Sequence, residues 1–135
     1  MNKMTMLAVL LLSLSLLISG CATSGTNEDG GTSLYNTVKI KPSKSYEDCI
    51  EVLPGQIMKY SFTSSNFVNF NIHYHTEEEL FYPVDKKGVM TWKGSLDLQE
   101  LDYYTEDQEF FCVMWDNLNS EPVKLSFSFE AKSAQ

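Results

Sequence analysis

Apolar and polar residues alternate with a period of two along much of this chain. The clearest case is 123–130, where Val, Leu and two Phe residues are separated by Lys, Ser, Ser and Glu. Similar alternation occurs in three further segments, 37–41, 58–63 and 68–75. Residues 110–115 are instead apolar on both faces, which is typical of a central strand. The alternation predicts β-strands that turn one face to the core and the other to water.

Turn signals separate these predicted strands. They occur at four places, residues 53–56, 64–66, 85–88 and 117–122. The first suits a type II turn, because Pro54 fixes φ at the second position and Gly55 accepts a positive φ at the third. No segment long enough for a stable helix has helical periodicity, and residues 96–101 allow only a short helical turn. The pattern predicts an all-β fold, an antiparallel β-sandwich of the jelly-roll-like kind.

The chain begins with the pattern of an export signal. Lys3 precedes an apolar, Leu-rich run at 6–18, which is short for spanning a membrane. The run ends in Leu-Ile-Ser-Gly-Cys at 17–21, which resembles the lipobox of bacterial lipoproteins. The resemblance implies that residues 1–20 are a signal peptide and that Cys21 carries acyl chains such as palmitate. An ordinary cleaved signal followed by a chance cysteine is the alternative.

The segment after the lipobox predicts a location in the outer membrane and a flexible tether. Ala22 stands where enterobacterial lipoproteins carry their sorting residue, and a residue other than Asp implies the outer membrane, facing the periplasm. Residues 21–34 are mostly Gly, Ser, Thr and acidic residues, which bury too little apolar surface to fold. We therefore expect a flexible tether at 21–34 and one β-sandwich domain at 35–135, anchored to the membrane through the N-terminal lipid.

The charge of the chain excludes one class of partner. It has 10 basic and 18 acidic residues, a net charge of −8, and every basic residue is Lys. Nucleic-acid recognition relies on Arg forks and on positive charge, and an acidic chain repels phosphates. We expect no nucleic-acid partner.

Two cysteines remain besides Cys21, namely Cys49 and Cys112. An exported domain lies where disulfides persist, and two cysteines allow one intramolecular pairing, so a Cys49–Cys112 disulfide is predicted. It would close a loop of about sixty residues and contribute on the order of 3–4 kcal/mol. Two free thiols acting as soft metal ligands are the alternative.

Three segments resemble the GOLD (Golgi dynamics) domain. They are 46–55 (Tyr-Glu-Asp-Cys-Ile-Glu-Val-Leu-Pro-Gly), 60–62 (Tyr-Ser-Phe) and 111–117 (Phe-Cys-Val-Met-Trp-Asp-Asn). The resemblance implies a β-sandwich in which Cys49 and Cys112 form the disulfide. Residues 68–75, with Tyr82 and Pro83 downstream, also look like a bacterial GOLD-like group of small exported proteins. GOLD domains occur in transmembrane cargo receptors of the early secretory pathway, which also have a transmembrane helix, a coiled coil and a cytoplasmic tail. This sequence departs from them in all three features, so the resemblance implies the fold and not the role of a cargo receptor.

The candidate site is a row of polar residues on one predicted strand, Asn69, Asn71, His73 and His75. Alternation places these four on one face, opposite Val68, Phe70, Ile72 and Tyr74. Imidazoles two residues apart on a strand can converge on one cation. With Glu77, Glu78 or Glu79 they suggest Zn²⁺ or Cu²⁺, and with Met90 or Met114 they suggest copper; Asp116 is a further candidate ligand. Solvated polar residues, or a face for a polar small ligand, are the alternatives.

Other site chemistry is weakly indicated. Exposed aromatic residues such as Trp92 are compatible with a carbohydrate surface, although most aromatic residues in a small domain belong to the core. The acidic residues lack the spacing of an EF-hand, and no nucleophile elbow, phosphate-binding loop, Cys-X-X-Cys or His-Glu-X-X-His motif is present. We expect no enzyme but a non-catalytic binding or interaction module with an envelope protein partner. The alternative is a periplasmic copper- or zinc-binding protein that uses His73 and His75.

Overall fold

The computed structural model describes residues 23–26, 32–76, 79–101 and 109–133. Within these ranges, seven strands and one 3₁₀ turn occur in the order β1 (Thr23–Thr26), β2 (Thr32–Ile40), β3 (Lys44–Val52), β4 (Gln56–His75), β5 (Leu80–Asp97), the 3₁₀ turn (Leu98–Glu100), β6 (Glu109–Asn117) and β7 (Val123–Ser133). No helix in these ranges is long and apolar enough to cross a membrane. The all-β fold is confirmed, and the short helical turn lies within the segment predicted for it.

All seven strands belong to one antiparallel sheet, which curls so that its two ends face each other. The strand order is β1-β2-β7-β4-β6-β3, and β5 pairs with the other side of β4. Strand β4 joins the two halves, because residues 56–64 pair with β7 and residues 69–74 pair with β6. The ring centroids of Trp115 on β6 and Phe127 on β7 lie 4.6 Å apart although these strands are not hydrogen-bonded neighbours. The two halves therefore pack on each other as layers of a sandwich-like fold.

The core lies between these layers and contains the inward residues of the alternating strands. Trp115, Phe70, Phe62 and Phe127 form its aromatic centre, with ring centroids between 4.6 and 5.7 Å apart for the contacting pairs. Burying four aromatic side chains supplies a large apolar area, which a domain of this size requires for stability. Tyr46 of β3 closes one side of the cluster, 5.8 Å from the ring of Phe127.

Two of the predicted turns are instead places where a strand bends. Residues 64–66 lie inside β4 and residues 85–88 lie inside β5, and the register between β4 and β5 shifts in this region. The Ser64 hydroxyl oxygen lies 2.7 Å from the Asn66 carbonyl oxygen and 3.0 Å from that of Met90, and Gly88 has a φ of +62°. Ser, Asn and Gly accommodate a bulge as readily as a turn, so the local sequence did not distinguish bending from reversal.

The other two predicted turns are confirmed. Gly55 has a φ of +79°, and the backbone N–H of Gln56 donates to the Leu53 carbonyl oxygen at 3.2 Å. Between β6 and β7, the buried side chain of Asn117 organises the connection. Its Nδ2 lies within 3.1 Å of the carbonyl oxygens of Ile40, Lys41 and Glu121, and its Oδ1 accepts from the Asn119 backbone.

The predicted tether is partly incorporated into the sheet. Strand β1 pairs with β2, which begins at Thr32 and pairs along its length with β7. Leu34 is only 5% exposed and belongs to the core, so the boundary predicted between residues 34 and 35 lies inside β2. Residues 23–26 and 32–34 are therefore part of the sheet, although their composition is typical of a linker. The predicted signal peptide at 1–20 and Cys21 lie outside the described residues.

Candidate functional site

Asn69, Asn71, His73 and His75 lie on the solvent side of the layer formed by β3, β6, β4 and β5. Their neighbours on the other face, Val68, Phe70, Ile72 and Tyr74, are all in the core. On β6 the register places Asp116, Met114 and Cys112 opposite Asn69, Asn71 and His73 respectively. We call the solvent side of this layer around His73 the histidine face; its residues are Glu47, Asn69, Asn71, His73, His75, Tyr82, Phe110, Cys112 and Met114.

His73 is the centre of the histidine face and is almost fully buried. Its ring is 3% exposed, and the neighbouring Asn71 is 7% exposed. Nδ1 of His73 lies 2.8 Å from Oδ1 of Asn71. In the tautomer with the hydrogen on Nδ1, the ring donates to this oxygen, since an amide oxygen only accepts hydrogen bonds. The opposite nitrogen, Nε2, lies 3.4 Å from Oε2 of Glu47, which β3 contributes.

Three effects act on the pKa of His73, two that lower it and one that raises it. Burial favours the neutral ring and lowers the pKa, the negative charge of Glu47 raises it, and the nearby His75 lowers it. Burial is the largest of the three, so the pKa lies below the ordinary value of 6.5. The 3.4 Å contact with Glu47 is therefore a contact between a carboxylate and a neutral imidazole at pH 7.

His75 and Tyr82 border His73 on its exposed side. The ring centroids of His73 and His75 are 5.3 Å apart, and those of His73 and Tyr82 are 5.6 Å apart. The His75 side chain is exposed, and Tyr82 is 54% exposed. The two histidines that the sequence placed together therefore lie side by side, one in a buried network and one exposed to solvent.

The predicted Cys49–Cys112 disulfide is confirmed. It links residues that are directly opposite each other on β3 and β6. The Cys112 sulfur, His73 and His75 have ligand atoms within 4.8 Å of one another, and Glu47 forms a similar group with the two cysteine sulfurs. Because both sulfurs are in the disulfide, neither is a thiolate, and thiolates are the form in which cysteine binds metals. The imidazoles and the Glu47 carboxylate remain as donors.

Sequence reasoning missed Glu47 as a member of this cluster. The predicted disulfide contained the signal that would have found it, since Cys49 opposite Cys112 places Glu47, two residues earlier, on the same face. The register also brings Met114 to the face, opposite both Asn71 and Glu47. Asp116 accepts a hydrogen bond from Ser45 at 2.6 Å. Of the acidic residues proposed as ligands, Glu77 and Glu78 lie outside the described residues.

Charges around His73 are predominantly acidic. Asp85 is opposite Asn71 on β5, and Asp116 is opposite Asn69 on β6. The ammonium of Lys87 lies 2.9 Å from the Asp85 carboxylate and neutralises part of this charge. With Glu47 included, the local balance favours a cation or a basic group over an anion.

Trp92, the aromatic residue suggested for a carbohydrate surface, is not freely exposed. Trp92 pairs with Phe62 and packs against the core, and the Lys86 ammonium lies 4.6 Å from the centre of its ring. The ring is half-buried and covered, so it does not offer a free stacking platform. An open groove of about 530 Å³ lies on the other layer, lined by Lys59, Tyr60, Ser61, Lys93, Gly94, Ser95, Ser128 and Glu130. None of the residues predicted for the site lines this groove.

Comparison with known proteins does not assign a family. No protein-family profile matches the sequence, and no curated protein matches it. A solved structure, the crystal structure of Yersinia pseudotuberculosis-derived mitogen (YPM), is similar over 76% of this chain and 86% of that chain, with 13% sequence identity and a TM-score of 0.49. A likeness at this level carries no inference about function. The resemblance to GOLD domains stays a prediction.

Proposed function

We propose that this protein is a lipid-anchored, non-catalytic binding module of the cell envelope, held at the outer membrane through Cys21 and facing the periplasm. Its contact surface is the histidine face. The observation that supports this proposal is the composition of the face, with exposed aromatic side chains beside a buried polar network. Tyr82 is 54% exposed and Phe110 is 60% exposed, while His73 and Asn71 between their strands are buried.

This arrangement is typical of protein contact surfaces. Aromatic residues are enriched at the centres of interfaces because they contribute large apolar area at little cost in conformational entropy. Single exposed apolar residues are common on any protein. It is the grouping of Tyr82 and Phe110 with the two histidines that supports a contact surface. The acidic surroundings, Glu47, Asp85 and Asp116, favour a partner that presents basic groups.

Site-specific photocrosslinking in intact cells tests the contact surface. A benzophenone amino acid is placed at Tyr82 and, separately, at Phe110. The matched control is Tyr35, an aromatic residue of β2 that is 65% exposed and lies outside the histidine face. We expect adducts of one size from both test positions and none from Tyr35. Equal labelling at all three positions, or no adduct at Tyr82 and Phe110, contradicts the proposal.

The membrane anchor is tested independently. Cells that express the full chain are labelled with an alkyne analogue of palmitate, and Cys21→Ser is compared with the wild type. We expect the label and the membrane fraction to depend on Cys21. Equal recovery of Cys21→Ser and wild-type protein in membranes would remove the lipid anchor from the proposal while leaving the contact surface untouched.

A further inference from the structure

We propose that Glu47, His73 and His75 form a binding site for a divalent cation of the Zn²⁺ or Cu²⁺ class. The site lies on the histidine face and deepens the proposed function, on which it rests, by naming a ligand for that face. Two strands supply its ligands, since Glu47 is on β3 and both histidines are on β4. Cys112 of β6 is opposite His73 and is held in the disulfide.

Asn71 orients the His73 ring. Nδ1 is 2.8 Å from the Asn71 amide oxygen, which only accepts hydrogen bonds, and the proposal assigns the ring hydrogen to Nδ1. The lone pair is therefore on Nε2, at the end of the ring that points to Glu47. Metal-binding histidines in proteins are held in this way, with the second ring nitrogen donating to an oxygen that fixes tautomer and ring angle. Asn71 is accordingly a positioning residue.

Nε2 of His73 and Oε2 of Glu47 are 3.4 Å apart, which is the spacing of two ligands on one metal ion. A charge-assisted N–H···O hydrogen bond is shorter, about 2.7–2.9 Å, and needs a hydrogen on Nε2. Two ligands bound to one tetrahedral Zn²⁺ by bonds of about 2.0–2.2 Å are separated by about 3.3–3.5 Å. The imidazole and the carboxylate therefore already stand at the spacing of neighbouring ligands around one cation.

His75 is the remaining ligand of the proposed site. One of its ring nitrogens lies within 4.8 Å of a ring nitrogen of His73, and its side chain is exposed. Two imidazoles and one carboxylate, with a water in the fourth position, form a common ligand set for Zn²⁺. Imidazole nitrogen disfavours Ca²⁺ and Mg²⁺, which take oxygen ligands. The disulfide removes the thiolates that would favour Cu⁺.

Zinc titration of the full-length chain, purified in detergent and stripped with chelator, tests the site. Affinity is measured by competition with a chromophoric chelator. Glu47→Gln and His75→Ala are suitable variants because both side chains are exposed. The matched control is Glu51→Gln, four residues along the same face of β3. We expect each ligand variant to bind Zn²⁺ at least about tenfold more weakly, and the control to stay within about twofold.

The His73 side chain supplies a second readout that does not depend on a variant. In ¹⁵N-detected spectra of the metal-free protein, Nδ1 should carry the hydrogen, and Zn²⁺ should shift Nε2 while Nδ1 stays protonated. Equal zinc affinity in the wild type and both ligand variants, or an unchanged Nε2 signal at saturation, would overturn the proposal. So would a hydrogen on Nε2 in the metal-free protein.

The crosslinking experiment, repeated with chelator, separates this proposal from the proposed function. Adducts at Tyr82 and Phe110 in a protein that fails the zinc test would contradict only the cation site. Zinc binding with the expected variant pattern, together with no adduct at either position, would contradict only the protein partner.

Discussion

Removing the Cys49–Cys112 disulfide should destabilise the protein by about 4 kcal/mol. The bridge joins residues that are 63 apart in sequence and ties β3, the last strand in the sheet order, to β6. Closing a loop of this length lowers the entropy of the unfolded chain by about 14 cal/mol/K, which is about 4 kcal/mol at 298 K. Most domains are stable by about 5–15 kcal/mol, so the loss is a large share of the total.

The double variant Cys49→Ser/Cys112→Ala tests this prediction. Ser suits the exposed position 49, and Ala avoids a hydroxyl at position 112, which is 4% exposed. Urea unfolding is followed by tryptophan fluorescence, since Trp115 is buried and reports on the core. The slope m should rise, because an unfolded chain without a cross-link exposes more surface. The Tm should fall by about 15–30 °C.

Reduced wild-type protein provides the matched comparison, because it loses the covalent link without losing any side chain. A loss below about 1 kcal/mol in both proteins would refute the entropy argument, since it would mean that the unfolded chain keeps β3 and β6 close without the bridge. A large loss in the double variant alone would assign the effect to packing at residue 112.

Three further predictions concern stability measured by urea unfolding. Asn117→Ala removes a buried amide whose Nδ2 lies within 3.1 Å of three carbonyl oxygens, and it should cost about 2–4 kcal/mol, whereas the control Asn119→Ala should cost about 1 kcal/mol. Gly94→Ala places a Cβ 2.7 Å from Cζ of Tyr60, so the ring must move, at a cost of about 1–3 kcal/mol. Burial lowers the pKa of His73, so in chelator its contribution to stability is present above the ordinary pKa of 6.5 and is lost as pH falls below it. The pH dependence between 7.5 and 5 should be steeper in the wild type than in His73→Gln, and equal slopes would contradict this assignment.

Several features of this protein could be predicted from the sequence because they depend on neighbours along the chain. Alternation in 123–130 placed β7, and Pro54 with Gly55 placed the turn between β3 and β4. Strand faces and turns are determined by local sterics and by which side chains avoid water, so a short window contains the information. The disulfide followed from counting, because two cysteines outside the predicted lipobox leave one intramolecular pairing.

The same local rules failed where long-range pairing decided the outcome. Residues 64–66 and 85–88 have turn composition, but β4 and β5 continue through them because each strand is paired on both sides of the bend. Leu34 was assigned to the tether because its neighbours are polar, and the core that buries it is built mainly by residues far along the chain.

The polar row on β4 was readable from the sequence, while the cluster around His73 was not. Alternation determined that Asn71, His73 and His75 share a face. The contact between His73 and Glu47 depends on two registers, of β3 on β6 and of β6 on β4. Shifting either register by one residue would turn Glu47 or His73 to the opposite face, and no local pattern specifies both. The sequence by itself determined which residues of the alternating segments share a face. Only the tertiary structure decided where strands bend and which side chains meet, because register is a property of strand pairs.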